Sequence, residues 1–141
     1  MSEYQHILVA TDLSNASFVP EKKARDLADK YGSKLSLVHT IEPIPAYGYP
    51  GLVDLESPFI DDAKNEMAKV GKKLNVPEDC QHVEFGAVKS QILKVAEELN
   101  VDLIIIGSHG RHGLNRLLGS GASGIIHGAH CDVLVVRYSE E

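Results

Sequence analysis

Short apolar runs alternate along the chain with longer segments whose apolar residues recur every three to four positions. Residues 4–11, 34–40, 81–85, 101–106 and 133–137 have strand propensity. The first, fourth and fifth of these runs are nearly continuous in aliphatic residues, the pattern of strands covered by helices on both faces of a parallel sheet. Those three are expected at central or interface positions. Between them, Ala24, Leu27, Ala28 and Tyr31 form one helical stripe, and Ile60, Ala63, Met67, Val70 and Leu74 a second. Ile92, Val95, Ala96 and Leu99 make a third, and Ala122, Ile125, Ile126 and Ala129 a fourth. Ser57 followed by Pro58 reads as an N-cap with proline at the first helical position. Pro20 fits only a first helical turn, so the first helix starts near Ser17, or starts at Ser14 and is kinked.

Alternation of strands and helices predicts an α/β fold, an open doubly wound five-stranded parallel sheet of order 3-2-1-4-5 with four helices. In that order the chain reverses direction between strands one and four. A ligand crevice is expected beyond their carboxyl ends, at Thr11-Asp12-Leu13-Ser14 and Gly107-Ser108-His109-Gly110. Residues 41–56 carry three prolines, two glycines and two tyrosines without a period, and read as a long loop.

The chain has 141 residues, the length of one ordinary domain, and 1–141 is read as a single domain. With 43% hydrophobic and 24% charged residues, neither disorder nor a fibrous repeat is suggested. A formal net charge of -6 argues against a nucleic-acid-binding surface, so no nucleic-acid partner is expected. The longest aliphatic runs, 7–10 and 103–106, fall far below the roughly 18 residues of a membrane span, and no membrane partner is expected. The first six residues lack a basic start and a long apolar stretch, which makes the cytoplasm the expected compartment. Cys80 and Cys131 have no CxxC partner, so neither a disulfide framework nor a zinc knuckle is expected.

Candidate chemistry concentrates after strand four, where seven of the twelve glycines lie between Gly107 and Gly128. Glycines let backbone N–H groups approach an anion, and a following helix N-terminus adds its dipole. The run through Gly107, Gly110, Gly119 and Ser120 therefore suits a phosphate cradle; an ordinary glycine-rich turn capped by Ser120 suits it too. Asp12 is placed either to accept a hydrogen bond from a base or ribose or to cap the next helix. Arg111 and Arg116 flank the glycine run, as phosphate partners or as solvated residues. His109, His112, His127 and His130 cluster beside Cys131, but their spacing matches no zinc pattern, and no metal site is expected. Gly-x-Ser-x-Gly, Walker A and HExxH motifs are absent, so catalysis has no direct support.

Taken together, five stretches give the chain a resemblance to the universal stress protein family, close to its A type. They are residues 6–14 (HILVATDLS), 35–39 (LSLVH), Gly86, 102–110 (DLIIIGSHG) and 131–136 (CDVLVV). The resemblance covers nearly the whole length. It implies the adenine nucleotide alpha hydrolase-like version of the fold and a homodimer formed through the last strand, residues 133–137. Such pairing covers an aliphatic edge that is otherwise open to aggregation. ATP-binding relatives carry Gly, two residues, Gly, nine residues, then Gly-Ser or Gly-Thr. Here Gly107 and Gly110 match and Gly119-Ser120 follow after eight residues, one fewer. The resemblance puts Asp12 and the backbone of Thr40 near adenine and ribose, and Gly107, Gly110, Gly119 and Ser120 around the phosphates of ATP with magnesium. The function it implies is a cytosolic, dimeric stress-response protein that binds an adenine nucleotide as sensor or regulator. Two alternatives are a dimeric module that binds no nucleotide and a slow ATP-hydrolysing enzyme.

Overall fold

The computed structural model describes residues 4–13, 18–41, 56–107 and 121–136. Five strands, β1 (His6–Ala10), β2 (Lys34–Ile41), β3 (Gln81–Phe85), β4 (Leu103–Gly107) and β5 (Asp132–Val136), form one sheet. All four pairings are parallel, and the order is β3-β2-β1-β4-β5, as the alternation of elements predicts. Among the described residues four helices connect or follow them: α1 (Val19–Tyr31), α2 (Glu56–Leu74), α3 (Val88–Leu99) and α4 (Gly121–Gly128). A short 3-10 turn, Glu78–Cys80, leads into β3.

Both faces of the sheet are covered, which explains the unbroken aliphatic runs of β1 and β4. Ile7, Val9, Leu35, Leu37 and Ile105 point to one face and pack with Ala24 and Ala28 of α1 and Met67, Val70 and Leu74 of α2. Leu8, Val38, Ile104 and Ile106 point to the other, against Val88, Ile92, Val95 and Ala96 of α3 and Ile125 of α4. Successive residues of a strand alternate sides, so a continuous run feeds both cores at once. Strand β5 is the sheet edge: Val133, Leu134 and Val135 stay partly exposed and Val136 is buried.

Two local expectations are corrected. Helix α2 begins at Glu56, so Ser57 lies inside it rather than at its cap, and Pro58 still falls in the first turn, where no intrahelical N–H is required. Ile126, assigned to the buried stripe of the fourth helix, is 49% exposed. A helix of eight residues turns a narrow face inward, and Ile125 occupies it. Strand β5 is described from Asp132 to Val136, and Arg137, the expected limit, lies outside the described residues. The open question at Pro20 is settled by a helix that starts at Val19, with Pro20 in its first turn and Phe18 as the preceding residue at φ 42°. The long loop is described only at its ends, Ile41 and Glu56; residues 42–55 lie outside the described part.

At the amino ends of the strands, polar side chains tie the sheet together. Asp102 Oδ2 accepts the backbone N–H groups of Gln5 (2.8 Å) and His6 (3.0 Å). The Tyr4 hydroxyl donates to Asp132 Oδ2 at 2.8 Å. His6 Nε2 lies 2.7 Å from Ser36 Oγ, which leaves the other ring nitrogen for the Leu99 carbonyl. Burial holds the His6 imidazole below its ordinary pKa of 6.5, Lys34 and His82 lower it further, and the Leu99 carbonyl and Asp102 oppose the fall. The folded state therefore binds this proton less readily than the unfolded chain. The contribution is intact above about pH 6.5 and is lost as pH falls through the folded pKa. His6→Gln, neutral at every pH, is expected to make urea-unfolding stability fall less than wild type between pH 7.5 and 5; an identical acid limb in both would exclude His6 as its source.

Candidate functional site at the reversal of strand order

In the order β3-β2-β1-β4-β5 the direction of chain connection reverses between β1 and β4, the position where open α/β sheets bind ligands beyond the strands' carboxyl ends. Register places the candidates there. Val9 pairs with Ile105, and two residues onward Thr11 comes level with Gly107. Ala10 pairs with Val38, and two residues onward Asp12 comes level with Thr40. Asp12, Thr40 and Gly107 thus lie at the ends of three adjacent strands. Gly110, Gly119 and Ser120 lie outside the described residues, as do Arg111, Arg116, His109 and His112.

Thr11 organises this end of β1. It is 1% exposed, and each of its polar groups is engaged. Its backbone N–H donates to the Val38 carbonyl at 2.9 Å, and its own carbonyl lies 2.8 Å from His39 Nδ1, which must carry the proton to donate there. Its hydroxyl donates to Glu21 Oε2 at 2.6 Å and accepts the Leu13 N–H at 3.1 Å. Asp12 is held between these anchors. Leu13 adopts φ 63°, a left-handed conformation that costs a non-glycine residue on the order of 1–2 kcal/mol. Such strain persists only where the surroundings impose it; among the described residues the Thr11 hydroxyl accepts the Leu13 N–H and the Leu13 side chain packs against the α1/α2 core.

Sequence reasoning passed over Glu21, although a signal was present: it sits three residues before Ala24 and seven before Ala28, on the buried stripe of α1. Glu21 is only 3% exposed. Burial pushes its carboxyl above the ordinary Glu value of 4.5; the Thr11 hydroxyl and a backbone N–H pull it down, and Asp12 adds to the rise. Glu21 Oε1 and the Thr40 hydroxyl are buried without a hydrogen-bond partner among the described residues. Arg25 Nε and His82 Nε2 are likewise buried without a partner among the described residues.

The remaining described candidates do not gather into a metal centre. Among the described residues, no three His, Cys, Asp or Glu side chains could hold a metal ion together. Cys131 is half-buried, and burial, aided by the charges of Asp132 and Asp102, raises its thiol pKa and keeps it protonated. No helix among the described residues is long and apolar enough to cross a membrane.

An open doubly wound α/β sheet with Thr11, Asp12 and Thr40 at the strand ends beside its reversal point is the class of protein these observations define. Residues 3–137 match the family model described as "Universal stress protein family". Universal stress protein A homolog 2 of Coxiella burnetii is 42% identical over 142 residues, covering 97% of this chain and 97% of that protein. The chain belongs to the universal stress protein family. Among solved structures, universal stress protein UspA from Lactobacillus plantarum superposes with a TM-score of 0.76 at 25% identity, over 97% of this chain and all of the other. A universal stress protein crystallised in complex with cAMP has the same fold, with a TM-score of 0.67 at 21% identity over 99% of this chain and all of that one.

Proposed function

We propose that this chain is a one-domain, cytoplasmic, homodimeric universal stress protein that binds an adenine nucleotide, ATP with magnesium, as a sensor or regulator rather than a turnover enzyme. The observation that carries the reading is the alignment of Asp12, Thr40 and Gly107 at the ends of β1, β2 and β4, beside the reversal of strand order. The chemistry of these residues fits an adenosine phosphate. A carboxylate at Asp12 accepts hydrogen bonds from base or ribose, the main chain at Thr40 offers an edge to the base, and Gly107 brings bare backbone to the first phosphate. Gly110, Gly119 and Ser120 complete the cradle in this reading. Magnesium travels with the ligand's phosphates, in keeping with its preference for phosphate and water oxygens over all-protein cages. The cAMP complex of a family neighbour lends support to nucleotide binding on this fold.

A second reading, a dimeric module without nucleotide, is favoured by one observation: eight residues rather than nine separate Gly110 from Gly119. In both readings the dimer forms through β5, whose open edge carries Val133 and Val135.

Thermal unfolding against ATP, ADP and AMP with magnesium separates the readings. Ligand at about one hundred times Kd adds about 2.7 kcal/mol, roughly 3 °C or more for a domain of this size. No shift at millimolar nucleotide selects the module. Sedimentation of the same preparation is expected to give the mass of two chains, and a monomer would reject pairing through β5.

A further inference from the structure

We propose that Glu21 is a positioning residue that fixes, through Thr11, the turn carrying Asp12. Its carboxyl further couples that turn to the uptake of a proton. The second half of the ligand-binding consequence rests on the nucleotide reading above; the control of the turn does not.

The connection is short and fully drawn. Glu21 Oε2 accepts the Thr11 hydroxyl at 2.6 Å, and Thr11 Oγ1 accepts the Leu13 N–H at 3.1 Å. Asp12 lies between the two residues so joined. A hydroxyl that must donate to Glu21 has its oxygen lone pairs turned to Leu13, so the carboxylate dictates the direction of the second bond. Without an acceptor at position 21 the hydroxyl is free to rotate, and its bond to the Leu13 N–H, at φ 63°, loses its fixed direction.

Glu21 also has a place for a proton. Its Oε1 is buried with no hydrogen-bond partner among the described residues, so the neutral acid can carry hydrogen there while Oε2 goes on accepting from Thr11. Among the described residues no cation forms an ion pair with it, although Arg25 Nε, one turn along α1, is buried without a hydrogen-bond partner. Asp12 comes from the turn after β1 and repels its negative form. His39 of β2 is directed to the Thr11 carbonyl. Lys73 of α2 stands 5.4 Å from the centre of the Phe18 ring. Arg25, one turn along α1, is engaged by the Leu74 carbonyl at 2.9 Å and by Asp29 at 2.7 Å. The residues of β4 from Leu103 to Gly107 carry no charge. Desolvation therefore favours the neutral acid, and a second negative charge near Asp12 favours it further. An anionic ligand at these strand ends adds to the same preference, so binding draws a proton onto Glu21, and affinity rises as pH falls through its titration.

Two variants separate this role from simple packing. Glu21→Gln keeps an oxygen for the Thr11 hydroxyl but cannot titrate; Glu21→Leu keeps the volume and removes the acceptor. In the free protein, the Leu13 amide resonance is expected to shift with pH at a midpoint above the ordinary Glu range, to lose that transition in Glu21→Gln, and to sit elsewhere at every pH in Glu21→Leu. A Leu13 amide that does not titrate, or that titrates equally in Glu21→Gln, overturns the proposal. With ATP and magnesium, Glu21→Gln is expected to bind within about twofold of the wild type's low-pH affinity at all pH values, and Glu21→Leu at least tenfold more weakly. The wild-type minus Gln difference removes the ligand's own titration. Equal affinity in wild type and Glu21→Leu overturns the positioning role. If wild type binds no ATP while the Leu13 amide still follows Glu21, the nucleotide reading fails and the control of the turn stands.

Discussion

Ile105→Ala is expected to remove about 2–5 kcal/mol of stability, the range for emptying a fully buried aliphatic site. Ile105 is 0% exposed in β4, paired with Val9 of β1 on one side and Leu134 of β5 on the other. Its side chain belongs to the core that α1 and α2 cover. The loss combines the transfer energy of the missing carbons with a cavity that a central strand, held by ladders on both sides, relaxes little to fill. Against a total of roughly 5–15 kcal/mol for a natural domain, a change of this size removes a large share of the folded state's margin. Urea unfolding at fixed protein concentration reads it as a lower midpoint with an unchanged m-value. Val19→Ala, at a residue 39% exposed, is expected to stay within about 0.5 kcal/mol. Equal effects at the two sites would contradict the assignment of the core.

On the nucleotide reading, Asp12→Ala is expected to weaken ATP binding about ten- to one-hundredfold. A hydrogen bond to a charged group is worth about 1.5–3 kcal/mol, and each 1.4 kcal/mol is tenfold in affinity. Asp12 is only half-buried, and the hydrogen bonds from Glu21 through Thr11 to Leu13 bracket it on both sides. Removing its charge also relieves the repulsion on Glu21. Calorimetric titration against wild type checks the result. Unchanged affinity would move the adenosine away from β1.

The architecture was legible because burial in this fold is periodic. Ile7, Leu8 and Val9, and Ile104, Ile105 and Ile106, announce strands covered on both sides, and each is 0% exposed. The stripes of α1, α2 and α3 announce one covered face each, and Ala24, Met67 and Ile92 are buried as their spacing requires. The reversal between β1 and β4 then followed from connection rules, which placed attention on Asp12 and Gly107 before any coordinates. Less was legible where a residue's surroundings come from distant segments. Strand β2 did not stand out as central, yet Ser36, His39 and Thr40 are all buried in it, because His6, Thr11 and neighbouring strands enclose them. Ile126 looked like core, but in a two-turn helix Ile125 is buried and Ile126 is turned outward.

The sequence by itself determined the alternation of strands and helices, their order in the sheet and the family, since these depend on local periods and on motifs read within one stretch. Tertiary structure alone decided that Glu21, a charged residue by composition, is buried against Thr11, that Thr11 bonds Leu13, and that Leu13 is held at positive φ. The physical reason is that a hydrophobic period reports only which side of an element is covered. Whether a polar atom on that side finds a partner depends on a residue supplied by another element, across a distance that only the packed fold sets.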